Sequence, residues 1–354
     1  MRYTSIPNTG LMLSIRNRRR KRLFVLFGAF LGLILLAVLS SVLGSVKLSP
    51  AEIWVFIKSG ISGRYPSTLH WGKFSVVWDI RLPRIVMALF AGMSLSLGGA
   101  AMQGIMRNPL VSPYTLGISA ASAFGASLAI VLGSPAFVMP AAFIFSLISL
   151  MLVLFFCRGD RLQAESLILT GIAVMFIFSA GTSLLQYLAS QDELARIVFW
   201  LMGSLSSATW PKTLATAGIS MISSLLLYTF SWPMNLLSSG EESAMSMGVD
   251  PRVLRMRVIL IVTGMTAVIV SHTGIIGFIG LAAPHVARML LGSDHRLLFP
   301  AAAVAGAFFL LVSDTLARSL LSHTELPIGI ITSFLGVPFL ISILAKRRRM
   351  RSVP

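Results

Sequence analysis

Apolar residues recur in runs of bilayer length from near residue 23 to near residue 345, broken by short polar or Gly/Pro-marked segments. Ten such runs can be drawn, at 23–46, 83–106, 113–133, 135–157, 165–190, 213–231, 253–272, 275–291, 297–317 and 326–345. Helices of this length approach the thickness of a hydrocarbon core, so each run predicts a membrane span. Two shorter stretches, "SPAEIWVFIKS" at 49–59 and "LARIVFWLMGSL" at 194–205, mix apolar and charged positions at helical period. They are too short and too charged to cross, and predict amphipathic helices lying on a surface. Gly and Pro interrupt several spans, which lipid tolerates only where neighbouring helices or a wet cavity satisfy the freed backbone.

Composition agrees with an all-α polytopic membrane protein. Of 354 residues 56% are hydrophobic and 12% charged, against about a quarter charged in a soluble domain. The net charge of +17 would point to nucleic acid in a soluble protein. Here the basic residues are spread over many short loops instead of one patch, which excludes nucleic acid as the partner and favours a topological reading. The lone Cys157 excludes an internal disulfide and a multi-thiolate metal site. The run 23–46 is too long for a signal-peptide core and reads as an uncleaved first span.

An even number of spans puts both termini on one side, and both are basic: "RNRRRKR" at 16–22 and "KRRRMR" at 346–351. With that side cytoplasmic, twenty of the 29 Lys and Arg lie inside and nine outside, the asymmetry of the positive-inside rule. The chain then divides into a basic tail (1–22), a transmembrane body (23–345) whose largest cytoplasmic loop is 231–252, and a second basic tail (346–354). Arg81, Arg84 and Arg318 fall outside, on the disfavoured face. Spans 2–5 and 7–10 form two sets of four separated by an odd number of helices, so span counting predicts an inverted repeat.

Chemistry inside the spans is sparse. Asp314 and Glu325 sit near the outer ends of spans 9 and 10, and Glu165 opens span 5, but no carboxylate or lysine falls at mid-span. That disfavours an ion-coupled carrier, the competing class. The five histidines show no metal-ligand spacing and no catalytic constellation is present, so neither a metal site, a cofactor nor an enzyme is expected. A phosphate loop is also missing, so any ATP-driven transport must draw on a separate subunit. In "SSGEESAMSMGVDP" (238–251), Ser239 and Glu242 fit a capping box, Gly248 a helix stop and Pro251 a block to its resumption. The spacing predicts a short helix over 240–247, either a plain connector or a contact for a partner. In "GFIGLAAPHVARMLLGSDHR" (277–296), small residues at 277, 280, 282 and 283 permit close packing, and Pro284 frees a carbonyl that His285 or Arg288 could satisfy. Span 5 places Ser179, Ser183 and Gln186 on one uncharged polar face. Interhelical hydrogen bonding and the wall of a wet passage both fit that pattern.

"WDIRLPRIVMALFAGMSLSLGGAAMQGIMRNPLVSPYTLGIS", "GEESAMSMGV", "GFIGLAAPHVARMLLGSDHR" and "TELPIGIITSFLGVPF", in this order over about 50–345, resemble the permease subunit of type II ABC importers, the iron–siderophore and cobalamin uptake family. The resemblance implies ten helices and a second permease, as a copy or a paralogue. Two cytoplasmic ABC ATPases and an extracytoplasmic substrate-binding protein would complete the assembly in the cell membrane. It also implies that span 5 lines the passage, and that Gly240, Glu241, Glu242, Ala244 and Gly248 belong to a coupling helix seated on the ATPase. Arg81, Arg84 and Arg318 would dock the binding protein. A passage without His, Cys or carboxylate ligands suits an enclosed metal chelate better than bare iron. A ferric siderophore is the first expectation, ahead of cobalamin, haem and molybdate-type oxyanions.

Overall fold

The computed structural model describes residues 9–44, 46, 48–64, 70–157, 162–320 and 325–338, and among these every regular element is helical. Helix α1 (Thr9–Val42) begins inside the expected basic tail, so residues 9–22 continue the first span as helix. The other tail, 346–354, and the last part of span 10 lie outside the described residues. The expected surface helices are α2 (Pro50–Ser62) and, later in the chain, α8 (Gln191–Leu201). Each opens with a full capping box, Ser49 with Glu52 and Ser190 with Glu193, which satisfies two otherwise orphaned amide groups. Lys73 clamps Glu52 at 2.7 Å. This bond, together with the Ser49 amide and hydroxyl, holds the Glu52 carboxyl down at about 2.

Span 2 begins with α3 (Trp71–Ser75) and a π turn (Val76–Arg81), then runs as α4 (Leu82–Ile105). Spans 4 and 5 are α6 (Val138–Phe156) and α7 (Ala164–Leu188). Span 6 is α9 (Trp210–Thr229), which bends by 50° into α10 (Ser231–Ser238). Pro233 explains the bend, because its ring supplies no amide to continue the ladder. A short helix, α11 (Glu241–Ser246), leads to span 7, α12 (Pro251–Thr273), and span 9 is α14 (His295–Ser319).

Six helices are long and apolar enough to cross on their own, and the bent pair makes a seventh. The other three predicted spans are shorter: α5 (Ile118–Val131), α13 (Ile279–Leu291) and α15 (Ile328–Pro338). At 14 residues, α5 is only about 21 Å long. Both α5 and α13 start in the middle of the bundle. Gly117, ahead of α5, abuts Val174 and Met175 halfway along α7, while Gly280 abuts the Leu95 carbonyl halfway along α4. The irregular segments that lead into these two helices meet, Tyr114 Oη donating to the Ile276 carbonyl at 2.9 Å. Backbone of this kind survives at membrane depth because protein surrounds it. Short helices at positions 3 and 8 are what the expected repeat requires.

Glycine lets the central helices touch. An added Cβ on Gly92 would lie 2.4 Å from the Gly306 carbonyl, and one on Gly306 2.2 Å from that of Gly92. On Gly99 it would come within 1.8 Å of the Gly280 carbonyl, the group that Pro284 leaves without its helical donor. Arg288, one of the two side chains that could have answered this carbonyl, reaches Gln103 at 3.2 Å, and Gln103 reaches the Leu281 carbonyl at 3.4 Å. Small side chains pack closely at Ala282 and Ala283 as well, whereas Gly277 faces open space. Thus α4 is the hub, with 78% of its most apolar window buried, against 28% for α6 and α7 and 11% for α1.

Candidate functional site

The fold gathers the expected outer loops at one end of the bundle and the expected inner loops at the other. At the first end, α4 and α14 bring Arg84 and Arg318 onto one carboxylate. Arg84 Nε donates to Asp314 Oδ1 at 2.7 Å and Arg318 Nε to Asp314 Oδ2 at 3.1 Å. Arg84 Nη1 also donates to Glu325 at 2.7 Å, and Arg318 Nη2 to the Ser40 hydroxyl at 2.6 Å. Arg81 turns to the end of α1, donating to the carbonyls of Ser41 (2.8 Å), Val42 (3.2 Å) and Val46 (2.6 Å). The first two are carbonyls that the C-terminus of α1 leaves unsatisfied, where a cation is favoured, and Val46 lies in the segment that follows.

The three arginines therefore share a rim, as expected, but they do not face outward. Arg81 and Arg84 are 4% and 3% exposed. The reason is desolvation: a guanidinium carries five donors, and burial at the end of a span stands only if they are paired. Asp314, wholly buried, accepts from Arg84 and Arg318 at once. Asp79, two residues before Arg81, accepts from Ser75 at 2.7 Å. The exposed part of this network is Glu325, at 52%.

Along α7, Leu167, Gly171, Val174, Phe178, Thr182 and Leu185 form the buried stripe. Ser179 and Ser183 lie exposed on the other side and Gln186 is half-buried. Phe176, Leu184 and Tyr187 are exposed beside them. Within the described chain none of the three polar groups on this face takes an interhelical hydrogen bond. It is a broad, mixed and uncharged surface.

At the other end, α11 stands between two glycines in left-handed or otherwise positive-φ conformations, Gly240 (φ 130°) and Gly248 (φ 81°). Ser239 does not cap it. Helix α10 runs on until Ser238, and the Ser239 amide bonds back to Leu236, so Gly240 takes the N-cap place without a side-chain bond. The predicted helix is real but shorter, 241–246. Ala244 anchors it, fully buried, while Glu242, Met245 and Met247 are exposed. Glu241 turns back to pair with Arg255. An open groove of about 520 Å³ lies between α11 and the start of α12, lined by Glu241, Met245, Gly248 and Arg252 among others.

Arg255, buried at 1% exposure, was missed. Its signal was present: Pro251, Leu254, Arg255, Val258, Ile259 and Val262 form the inward stripe of α12, and a charge on such a stripe demands partners. Glu325 as the second partner of Arg84 carried no comparable local signal. Among the described residues no three His, Cys, Asp or Glu side chains converge on a metal-sized site.

Known proteins resemble this chain in sequence and fold. The chain is 38% identical over 328 residues to the molybdate import system permease of Haemophilus influenzae, covering 92% of this chain and 96% of that one. It is 34% identical over 327 residues to the hemin transport system permease of Yersinia pestis, covering 90% and 95%. A solved inward-facing transporter, described as of the metal-chelate ABC type, superposes with a TM-score of 0.81 at 37% identity, covering 91% of this chain and 99% of the other. These relatives are transport permeases of importers, not enzymes. With residues 32–346 matching its pattern throughout, the chain belongs to the FecCD transport family and is an ABC importer permease.

Proposed function

We propose that this permease moves a metal chelate, with a ferric siderophore as first choice, from an extracytoplasmic binding protein to the cytoplasm. Two cytoplasmic ATPases supply the energy and a second permease, identical or paralogous, completes the passage. The observation that carries the reading is the polarity of the α7 face: Ser179, Ser183 and Gln186 are open, uncharged and flanked by exposed apolar side chains. Such a wall neither coordinates a bare metal nor grips an oxyanion, and it suits a large ligand that encloses its own charge. A molybdate-type oxyanion is the second reading, favoured by the identity to the molybdate permease.

In this proposal both termini and α11 are cytoplasmic, following the charge asymmetry. Gly240, Glu241, Glu242, Ala244 and Gly248 form the ATPase contact, with Met245 and Met247 as exposed apolar knobs. The binding protein docks on the rim of Arg81, Arg84 and Arg318. Since these side chains are already paired, an incoming carboxylate reaches Arg84 by displacing half-exposed Glu325. Uptake into proteoliposomes holding the full importer tests the reading, with ferric siderophores, cobalamin, haemin and molybdate compared with and without internal ATP. ATP-dependent accumulation of a ferric chelate is expected. Transport of molybdate alone, or transport without ATP, overturns it.

A further inference from the structure

Helix α11 has little of its own to hold it in place. It has six residues, no side-chain cap and a single fully buried side chain, Ala244; a helix this short is unstable without tertiary support. Its neighbour α10 is firmly tied. Asn235 Oδ1 accepts from the His295 amide at 2.9 Å, and its Nδ2 donates to Asp294 at 2.7 Å, locking α10 to the start of α14. Between α10 and α12, α11 hangs on Gly240 and Gly248. An added Cβ would meet nothing at either position, so what these glycines supply is positive φ, not space. They turn the chain at either end of the helix.

The side chain that joins this short helix to the membrane body is Arg255. Its Nη2 donates to Glu241 at the head of α11. Its Nε donates to the carbonyl of Ile105, the last residue of α4, at 3.2 Å. Its Nη1 donates to the carbonyl of Leu162, two residues ahead of α7, at 3.2 Å. One planar group thus joins the short helix, the hub helix and the root of the helix carrying Ser179, Ser183 and Gln186. Because the guanidinium is rigid and its donors diverge, displacing one acceptor displaces the plane and loads the other two. Arg252 and Arg257, on the same helix, are exposed, and Arg252 lines the groove beside Glu241.

We propose that Arg255 is the positioning residue of energy coupling, the tether through which movement of α11 is passed to the cytoplasmic ends of α4 and α7. This rests on α11 being the ATPase contact. A lysine keeps the charge but as a point donor cannot hold three acceptors on three elements in fixed geometry.

The test uses the full importer in proteoliposomes and reads substrate transported per ATP hydrolysed, with co-purification of all subunits as the control for assembly. Arg255→Lys and Glu241→Gln should assemble and hydrolyse ATP, yet transport per ATP should fall about tenfold, the order of a lost charge-assisted bond. The double variant should be no worse than either single one. Where Arg255→Lys does not assemble, Glu241→Gln decides alone, provided co-purification of the ATPase shows that the contact to which Glu241 also belongs is intact. Assembled variants within twofold of wild type overturn the proposal. Gly248→Trp, at the exposed tip, separates the two ideas. If it leaves transport per ATP unchanged, the coupling reading of α11 fails and the tether with it. If it uncouples while the Glu241 and Arg255 variants do not, only the tether fails.

Discussion

Replacing Asp314 with Ala should be far more costly than replacing Glu325 with Ala, although both carboxylates accept from Arg84 at 2.7 Å. Asp314 is fully buried and serves Arg84 and Arg318 together, whereas the Glu325 side chain is 52% exposed. Removing one partner of a buried pair costs about 3–5 kcal/mol, because the remaining charge is left uncompensated. Some compensation survives here, since Arg84 keeps Glu325 and Arg318 keeps the Ser40 hydroxyl. That places Asp314→Ala near the lower bound, about 3 kcal/mol. Water already screens Glu325, so Glu325→Ala should cost no more than about 1 kcal/mol. The gap of about 2 kcal/mol corresponds to roughly a thirtyfold difference in the folded-to-unfolded ratio. Unfolding of the purified permease in mixed micelles with a rising denaturing-detergent fraction would measure it. Tryptophan fluorescence is the natural probe, because Trp78 and Trp210 pack 5.2 Å apart just ahead of α4. Equal costs for the two substitutions, or a cost under 1 kcal/mol for Asp314→Ala, would refute the burial argument.

Gly99→Ala should destabilise by about 1–3 kcal/mol or more through overpacking, since its Cβ would lie 1.8 Å from the Gly280 carbonyl. Gly28→Ala, on an open face of α1, should be neutral or stabilising by about 0.5–1 kcal/mol; a reversed order in the same unfolding assay would contradict the packing account. In a Cys157→Ser background, cysteines at Ser62 and Ser243 should react with an impermeant maleimide from opposite faces of oriented vesicles, and labelling from one face would overturn the threading. The Glu52 carboxyl is held at about 2 against an ordinary 4.5, so its contribution to α2 is complete above pH 4.5 and disappears as pH falls toward 2. Hydrogen exchange of α2 should therefore separate wild type from Glu52→Gln at pH 6 and not at pH 2, and a difference that persists at pH 2 would count against the Lys73 clamp.

Hydropathy alone located the apolar helices of the described residues and the two short amphipathic ones, because burial in lipid acts on each stretch of chain independently of its neighbours. Charge counting expected Arg81, Arg84 and Arg318 on one side and the loop 231–252 on the other. Helix length was another matter. Whether 113–133 and 275–291 would cross whole or start at mid-bundle depended on what stood beside them: Gly98 and Gly99 on α4, and the Tyr114–Ile276 bond between the segments leading into α5 and α13. The Ser239 cap failed for a related reason, since Ser-x-x-Glu is a local pattern and α10, docked through Asn235 on α14, runs up to Ser239 and takes it as its own C-cap. Most of all, the direction in which each arginine points was decided by the fold. Sequence spacing shows that a charge lies near the end of a span. Which carboxylate or carbonyl answers Arg81 and Arg84 is set by chain segments 35 to 241 residues away, because a desolvated guanidinium settles on whichever acceptors the packing brings within reach.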